Sequence, residues 1–398
     1  MLWNDTKHIE KKGVKIVKKK KFVIIGSGLF GSVLAERIAN DLGSNVTLID
    51  KSSHTGGGCF DAINKETGVE YCVYGPHIFH TDDSKIWDYV TRFTEFNDYI
   101  HKVRVFYKGK LYPFPINLLT LSMVYSECTQ PSQVNACLSK DRGLNVTRDN
   151  NFKALKRANF KDLAMKTVGK RLYNIFYKGY TQKHWGKDPK TLPASLFKRN
   201  PVRYDHTDKF YNAKWEGMPV NGYTAMFNNM LSSKRIKIQL DQDARPSIYP
   251  VNKDTVIIYT GKLDRLFNYK YGELEWRSLE FKHAIKSIQS YQGISVVNYT
   301  DVKVPYIRIV EHKHFHPERP SSPSTMITYE YPVTNNKKPY YPINTLYNNL
   351  LYNRYKKEAN KIKNLYYGGR LADYKYYNMD QTIGAALTLY ERIKKEVA

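Results

Sequence analysis

A glycine-rich turn between two short apolar runs constrains this chain more than any other stretch. Phe22 to Ile25 is an apolar run typical of a buried strand, and Gly26, Gly28 and Gly31 follow it with the spacing GxGxxG. Apolar residues at helical spacing come next, and a second strand-like alternation ends at Asp50. This order, completed within about 30 residues, predicts one dinucleotide-binding βαβ unit of an α/β fold.

The chemistry of dinucleotide binding explains these residue types. Gly26 permits a tight turn, Gly28 lets the backbone approach a pyrophosphate, and Gly31 lets the helix pack closely on the strand. The helix N-terminus supplies free N–H groups to the phosphates, and Asp50 can accept a hydrogen bond from a ribose hydroxyl. Three more glycines, residues 56–58, follow the acid. A glycine pair at that place resembles the FAD site of the glutathione-reductase type and favours FAD over NAD.

Length and composition limit the class of protein. The chain has 398 residues, of which 41% are hydrophobic, enough for two or three globular domains. Its apolar stretches are too short to span a bilayer, and its N-terminus has no signal-peptide h-region. The cysteines have no CxxC spacing, which favours a reducing, cytoplasmic compartment and no metal site; they are Cys59, Cys72, Cys128 and Cys137.

The formal net charge of +26 raises the question of nucleic acid or an anionic surface as a partner. Residues 1–20 form a lysine-rich tail, and the other basic residues are scattered without a known nucleic-acid module. We favour a solvated basic surface together with binding sites for an anionic cofactor and an anionic substrate.

The middle of the chain changes pattern twice. Residues 117–203 have helical spacing and carry an aromatic stripe at Phe176, Tyr180 and Trp185, which by spacing alone is more often core than ligand site. Residues 274–331 are strand-rich. There a strand predicted over 306–315 would place three histidines on one face, at His312, His314 and His316, but no fourth metal ligand lies nearby.

The remaining elements are shorter. A helix is expected over 85–96, and residues 102–110 resemble a hairpin strand and turn. Near the C-terminus a strand at 365–367, a Gly-Gly turn and a helix from about Met379 to Lys395 repeat the α/β pattern. A late strand, turn and helix of this kind would close a discontinuous FAD domain.

Several long stretches resemble the flavin-dependent, bacterial-type UDP-galactopyranose mutase family. They are ordered along residues 22 to about 390 and include GSGLFGSV, YGPHIFHT, KGYTQKHWG, KRNPVR, GMPVNGYT, VPYIRIVEHKHF, KPYYP and GGRLADYKYYNMDQ. The resemblance implies a glutathione-reductase-like FAD-binding Rossmann-type domain over 21–97, 217–264 and 344–398. It also implies an inserted helical domain over 117–204 with a mobile loop at 187–202. An antiparallel β-sheet domain would comprise 98–116, 205–216 and 265–343.

The resemblance also implies the site residues. Phe176, Tyr180, Thr181 and Trp185 would hold the uridine. Arg199 and Arg308 would bind the diphosphate, with Tyr341 and Tyr376 beside it, and His77 and His80 would face the flavin. The two arginines and the two histidines would be the catalytic residues. The residues implied for the cofactor are Gly26, Gly28, Phe30, Gly31, Asp50, Lys51, Gly57, Gly58, His77, Ile78, Arg370, Tyr377, Asn378 and Met379. No metal is implied.

The implied activity is isomerisation of UDP-galactopyranose to UDP-galactofuranose, with a UDP-sugar as the small-molecule partner, no nucleic acid, no membrane insertion and a homodimer. Reduced FAD, regenerated by NADPH or NADH, would attack the sugar C1 through N5, and a covalent adduct would allow the ring to open and reclose.

The chain departs from the family pattern at Gly58, usually asparagine, and at Asn378, usually aspartate. The alternatives are a mutase for UDP-N-acetylgalactosamine or a deoxy-sugar nucleotide, a flavin oxidoreductase of the same fold, and an inactive basic binding protein.

Overall fold

The computed structural model describes residues 20–142, 159–199, 202–245, 254–334 and 338–397, with the backbone alone at residues 195, 198 and 199. The basic tail predicted over residues 1–20 lies outside this description, apart from Lys20. None of the helices described is long and apolar enough to cross a lipid bilayer.

A five-stranded, wholly parallel sheet forms the first layer, in the order β16-β10-β1-β2-β9. Its central strands are rich in Val and Ile and are buried on both faces, as parallel strands covered by helices must be. The strands are β1 (Lys21–Ile25), β2 (Val46–Ile49), β9 (Ile236–Gln239), β10 (Thr255–Tyr259) and β16 (Leu365–Tyr367).

Helices cover this sheet. Helix α1 (Leu29–Asn40) connects β1 to β2 in the βαβ unit that the glycine spacing predicts. Helix α10 (Met379–Val397) packs on α1, where Lys394 forms an ion pair of 2.8 Å with Asp41. The other helices outside the helical insert are α2 (Ser84–Val90), α7 (Gly222–Met230), α8 (Leu263–Leu266) and α9 (Leu346–Ala359). Helix α2 is shorter than the predicted 85–96.

A seven-stranded sheet forms the second layer, in the order β15-β11-β14-β13-β12-β6-β7. It is antiparallel, as predicted, except that β12 and β6 are parallel. Its strands are β6 (Val103–Tyr107), β7 (Lys110–Phe114), β11 (Trp276–Lys286), β12 (Val296–Tyr299), β13 (Arg308–Glu311), β14 (Thr325–Val333) and β15 (Tyr341–Pro342). Two separate two-stranded antiparallel sheets accompany them: the hairpin of β3 (Asp61–Ile63) with β4 (Glu70–Cys72), and β5 (Phe79–Thr81) paired with β8 (Trp215–Gly217), which is distant in sequence.

The predicted strand over 306–315 is wrong beyond Glu311, because His312–Phe315 is a 3₁₀ helix. The three histidines therefore do not share a face. The His312 ring lies 2.6 Å from the Thr328 hydroxyl, and His314 lies 3.1 Å from Glu311. His316 lies between Glu70 and Glu318, at 3.2 and 2.9 Å. Within the described ranges, no group of three His, Cys, Asp or Glu side chains is arranged to hold a metal ion.

The described parts of residues 117–203 are largely helical, as the spacing predicts, while residues 143–158 and 200–201 of that range lie outside the description. They contain α3 (Leu118–Val124), α4 (Val134–Arg142), α5 (Phe160–Leu172) and α6 (Gly179–Trp185). A π-helical turn, Tyr173–Lys178, joins α5 to α6. The π geometry adds a residue to the turn and changes the faces that the following residues present, which is common at functional sites.

Candidate active site

The glycine turn between β1 and α1 has the shape of a pyrophosphate cradle. Gly26 has a φ of 110°, a conformation that favours glycine. A β-carbon at Gly31 would lie 2.0 Å from the Gly26 carbonyl oxygen. Helix α1 can therefore pack against the turn only because Gly31 has no β-carbon. A β-carbon at Gly28 would meet no atom of the described chain within 4 Å. Gly28 is also the N-cap of α1 and has no side chain to occupy the helix N–H groups, which suits a phosphate.

Two more glycine segments extend this cradle. Gly28 forms a bridge with Gly56, and a β-carbon at Gly57 would lie 3.0 Å from the Gly28 α-carbon. The buried ring of Phe30 lies against Gly368, where a β-carbon would be 2.4 Å from the ring. The observed backbone therefore fits the dinucleotide cofactor that the sequence indicates.

Asp50 follows β2 as predicted, and its side chain also stabilises the glycine turn between β1 and α1. Its Oδ2 accepts hydrogen bonds from the Ser27 backbone N–H, at 2.7 Å, and from the Ser27 hydroxyl, at 2.9 Å. The sequence pattern did not suggest this second role. Lys51, the next residue, is exposed. Its predicted contact with the cofactor, like the Asp50 contact with the ribose, stays a prediction.

His77 lies beside the Gly56–Gly58 segment. A β-carbon at Gly58 would be 3.9 Å from His77 Nε2, and His77 Nδ1 lies 2.9 Å from the Gly75 carbonyl oxygen. Burial, helped by the positive charge of Arg370, lowers the pKa of His77 to about 4. The ring is therefore neutral at pH 7. Because Nδ1–H donates to a carbonyl, Nε2 is assigned as a hydrogen-bond acceptor towards the cradle.

The loop that precedes α10 lies on the same side of the cradle as His77. Arg370 donates to the Tyr377 carbonyl at 2.8 Å, and its guanidinium lies 4.7 Å from the centre of the Tyr376 ring. Met379 Sδ lies 3.8 Å from Cys59 Sγ, next to the glycine segment. The predicted cofactor residues of the C-terminal segment thus meet those of the N-terminal segment. Asn378 is held through its backbone, which contacts Gln381 and Thr382.

A cavity opens beside this cradle, between the helical segment and the seven-stranded sheet. Most residues predicted for the substrate line this cavity, namely Phe176, Tyr180, Thr181, Trp185 and Arg308. Ile78, predicted for the cofactor, lines it as well. Phe176 is 3% exposed and packs against Phe114 and Tyr112. The aromatic stripe therefore serves both as core and as cavity wall. Tyr341 and Tyr376 stack on each other with their ring centres 5.7 Å apart, and Tyr341 contacts Trp185.

Arg308 is held at the cavity wall by Glu330. The two residues are directly opposite in the β13–β14 pairing, and Arg308 Nε lies 2.6 Å from Glu330 Oε2. The Glu330 side chain has no exposed surface. Burial opposes the guanidinium charge, but Glu330 and the neighbouring tyrosines outweigh it and raise the pKa of Arg308. Burial raises the pKa of Glu330, although Arg308 opposes the shift.

The second predicted arginine, Arg199, ends a 3₁₀ helix, Ala194–Arg199, but its side chain lies outside the described residues. The same 3₁₀ helix places Leu196 and Phe197 against the cavity. The Phe197 ring lies 4.9 Å from the Tyr177 ring, centre to centre. His80 is not itself among the cavity-lining residues, but it stacks at 3.6 Å on Tyr211, which is.

Sequence reasoning missed several polar residues of the cavity. The Asn298 amide oxygen and the Thr300 and Tyr177 hydroxyls line it and are buried, with no hydrogen-bond partner found for these atoms in the described part of the chain. Buried polar atoms are usually satisfied, so these suit a polar ligand. Strand alternation would have placed Val296, Asn298 and Thr300 on one face. No pattern in the sequence indicated that Glu330 would pair with Arg308.

Two family models match parts of this chain. A family model described as UDP-galactopyranose mutase matches residues 175–376, and one described as an NAD(P)-binding Rossmann-like domain matches residues 24–93. A probable UDP-galactopyranose mutase of Klebsiella pneumoniae is 35% identical, over 96% of this chain and 97% of that protein. A dTDP-fucopyranose mutase of Escherichia coli is 34% identical, over 94% and 100%.

The fold has a solved counterpart as well. A crystal structure of reduced UDP-galactopyranose mutase superposes with a TM-score of 0.75 at 14% identity, covering 95% of this chain and 94% of the other. At that identity the superposition supports the fold.

Proposed function

The chain belongs to the UDP-galactopyranose mutase family, and from that membership we propose that it interconverts UDP-galactopyranose and UDP-galactofuranose as a flavin-dependent isomerase. The observation that carries this proposal is the adjacency of two sites. A glycine cradle suited to a dinucleotide lies beside a cavity lined by aromatic rings and by Arg308. A flat uracil suits the aromatic rings, and the diphosphate suits the guanidinium.

We assign FAD to the cradle formed by residues 26–31, 56–58 and 368–370. When reduced and bound there, it supplies an electron-rich N5 nucleophile for the sugar. His77, neutral at pH 7, presents an acceptor nitrogen towards this cradle. NADPH or NADH is proposed as the external reductant.

The protein's own part in the reaction is binding, charge stabilisation and exclusion of water. Arg308 would stabilise the diphosphate as it departs, and Glu330 holds the guanidinium in place through Nε. Burial raises the pKa of Tyr341, so its phenol stays protonated and can donate a hydrogen bond to the diphosphate or the sugar. We propose that Arg199 provides the second charge and that the 187–202 segment, anchored by Phe197, closes over the cavity.

The proposed division into domains follows the sequence prediction. All five strands of the parallel sheet come from residues 21–97, 217–264 and 344–398, which supports one FAD-binding domain. All seven strands of the other sheet come from 98–116 and 265–343. Four free, buried cysteines support a reducing compartment, for which we propose the cytoplasm. The homodimer rests on the family resemblance, and sedimentation velocity would test it.

A second candidate is a mutase for a deoxy-sugar nucleotide. The dTDP-fucopyranose mutase is as similar to this chain as the UDP-galactopyranose mutases are. The two substrate classes differ at the ribose 2′ position, the base methyl and the sugar C6 hydroxyl. Comparing kcat/KM for the UDP-galactose and dTDP-fucose pairs would separate them, and a preference above tenfold for either would assign the substrate.

The decisive experiment is an assay of isomerisation in both redox states. Purified protein should be yellow and release FAD on heating. Dithionite-reduced protein should convert UDP-galactofuranose to UDP-galactopyranose, without consuming reductant in proportion to product. Oxidised protein should bind UDP but should not turn over. Oxygen consumption in step with product would indicate a flavin oxidoreductase instead, and binding without turnover in both states would indicate an inactive binding protein.

A further inference from the structure

Helix α6 approaches the seven-stranded sheet unusually closely. A β-carbon at Gly179, the first residue of α6, would lie 2.1 Å from the Thr300 carbonyl oxygen and 3.1 Å from a Val302 methyl. Gly179 therefore allows backbone contact between the start of α6 and the end of β12. Tyr180 and Thr181, which follow immediately, are two of the residues proposed to hold the uridine.

Lys183 fixes this contact from the next turn of α6. Its half-buried ammonium donates to three backbone carbonyls: Tyr299 at 2.7 Å, Val304 at 2.9 Å and Tyr306 at 2.8 Å. An ammonium has three N–H donors, so these bonds use all of them. Tyr299 is the last residue of β12, and Val304 and Tyr306 belong to the β12–β13 connection, which leads directly into Arg308.

The other end of α6 is held by a second cation. Arg277 is 4% exposed and donates to the Lys183 carbonyl at 3.0 Å and the His184 carbonyl at 2.8 Å. A helix C-terminus leaves such carbonyls without intrahelical partners. Helix α6 is thus tied to β11 at its last turn and to the β12–β13 connection through Lys183.

We propose that Lys183 is a positioning residue that joins the nucleotide-binding helix α6 to the connection that leads into Arg308, so that both ends of the nucleotide diphosphate meet one rigid surface. The inference rests on the proposed function, since it takes UDP as the ligand. A ligand that spans both parts gains affinity because binding at one end presents the other at a high effective concentration. A ligand that touches α6 alone gains nothing from the connection.

Lys183→Met tests the proposal, because it removes the ammonium and keeps the aliphatic stem. We expect the UDP dissociation constant, measured by calorimetry on the FAD-loaded protein, to rise about tenfold. The uridine dissociation constant, measured by competition, should change less than threefold. Lys183→Arg should behave like Lys183→Met, because a planar guanidinium cannot direct three N–H groups at converging carbonyls. Lys178→Met, at an exposed lysine of the preceding π turn, is the matched control.

Other outcomes would overturn the proposal in distinguishable ways. Full UDP affinity in Lys183→Arg would mean that Lys183 acts only as a positive charge near the diphosphate. Equal losses for UDP and uridine, with a lower Tm, would mean that it only supports the fold of α6. Wild-type affinities in Lys183→Met would show that the connection is dispensable. Failure of the wild-type protein to bind UDP would overturn the proposed function itself, and this inference with it.

Discussion

At the scale of single residues, the ion pair of the buried Glu330 with the partly buried Arg308 couples function to stability. Removing one partner of a buried ion pair leaves the other charge without compensation, which costs on the order of 3 kcal/mol or more. Arg308 is also the proposed contact of the diphosphate. A loss of activity in an Arg308 variant therefore has two physical causes, and a second substitution is needed to separate them.

Arg308→Ala should lower the turnover rate well over tenfold, about 2–4 kcal/mol of transition-state stabilisation. It should also lower the urea midpoint, because Glu330 loses its partner. Adding Glu330→Gln should restore much of the stability and none of the activity. Arg392→Ala breaks an exposed pair with Glu396 and is the control, with an expected cost of about 0.5 kcal/mol. Recovery of turnover in the double variant would refute the role of Arg308 at the diphosphate.

Three histidines with lowered pKa values, the buried His101 and His312 and the partly buried His77, give the protein an acid-sensitive stability. Burial, the largest cause in each case, lowers the pKa of His77 to about 4 and those of His101 and His312 to about 3. In the unfolded chain they titrate near 6.5. Between those values the unfolded state binds more protons than the folded state, so stability is complete above pH 6.5 and falls as the pH falls towards 4.

The free energy of unfolding should therefore fall between pH 6.5 and 4.5 by up to about 1.4 kcal/mol per pH unit for each histidine. His312→Gln should make this slope shallower, because it removes one of the three groups. His206→Gln, at an exposed histidine, should leave the slope unchanged. Urea titrations at several pH values measure it, and identical slopes in all three proteins would contradict the assignment.

At the scale of elements, the turn between β1 and α1 contains one glycine that the packing of the fold requires and another that leaves space for the proposed cofactor. A β-carbon at Gly31 would clash with the Gly26 carbonyl, whereas one at Gly28 would meet only open space in the described chain. The two glycines stand three residues apart and should respond differently to the same substitution.

Gly31→Ala should destabilise the apoprotein, because α1 must move away from the turn. Gly28→Ala should leave the apoprotein Tm unchanged and weaken FAD binding more than tenfold, because the methyl group occupies the space assigned to the pyrophosphate. Gly384→Ala, in α10, has ordinary contacts at 3.5 Å and is the control. Flavin fluorescence titration measures the affinity. Wild-type FAD binding in Gly28→Ala would exclude this turn as the pyrophosphate site.

The elements also show how far sequence reasoning reaches. The βαβ unit was predictable because its constraints are local: Gly26, Gly28 and Gly31 act within one turn. The 3₁₀ helix at His312–Phe315 was not, since Glu311 and His312 bond to Tyr291 and Thr328, which are distant in sequence. The Arg308–Glu330 pair likewise depends on the register of two strands. Most of the proposed substrate residues were assigned through the family motifs, because spacing alone assigned Phe176 and Tyr180 to the core.

At the scale of the whole molecule, the net charge of +26 means that the folded state repels itself. Raising NaCl from about 0.05 to 0.5 M screens this repulsion, since the Debye length shortens severalfold. We expect the Tm to rise, and a gain of about 1 kcal/mol would appear as roughly 2 °C. Near pH 9.6, the isoelectric point calculated from the sequence, the net charge vanishes and the salt effect should too. A Tm that salt leaves unchanged at pH 7 would contradict this.

The strand order of the parallel sheet also determines when each strand can pair with its neighbours during translation. Strand β1 leaves the ribosome more than two hundred residues before its neighbour β10, which begins at Thr255. The glycines that cover Phe30 arrive at residue 368. Until β10 is made, β1 has one unpaired edge, the condition in which strands associate wrongly, and until residue 368 is made the cofactor cradle lacks its last wall. FAD is therefore expected to load after release of the chain, and prematurely terminated chains should aggregate without flavin.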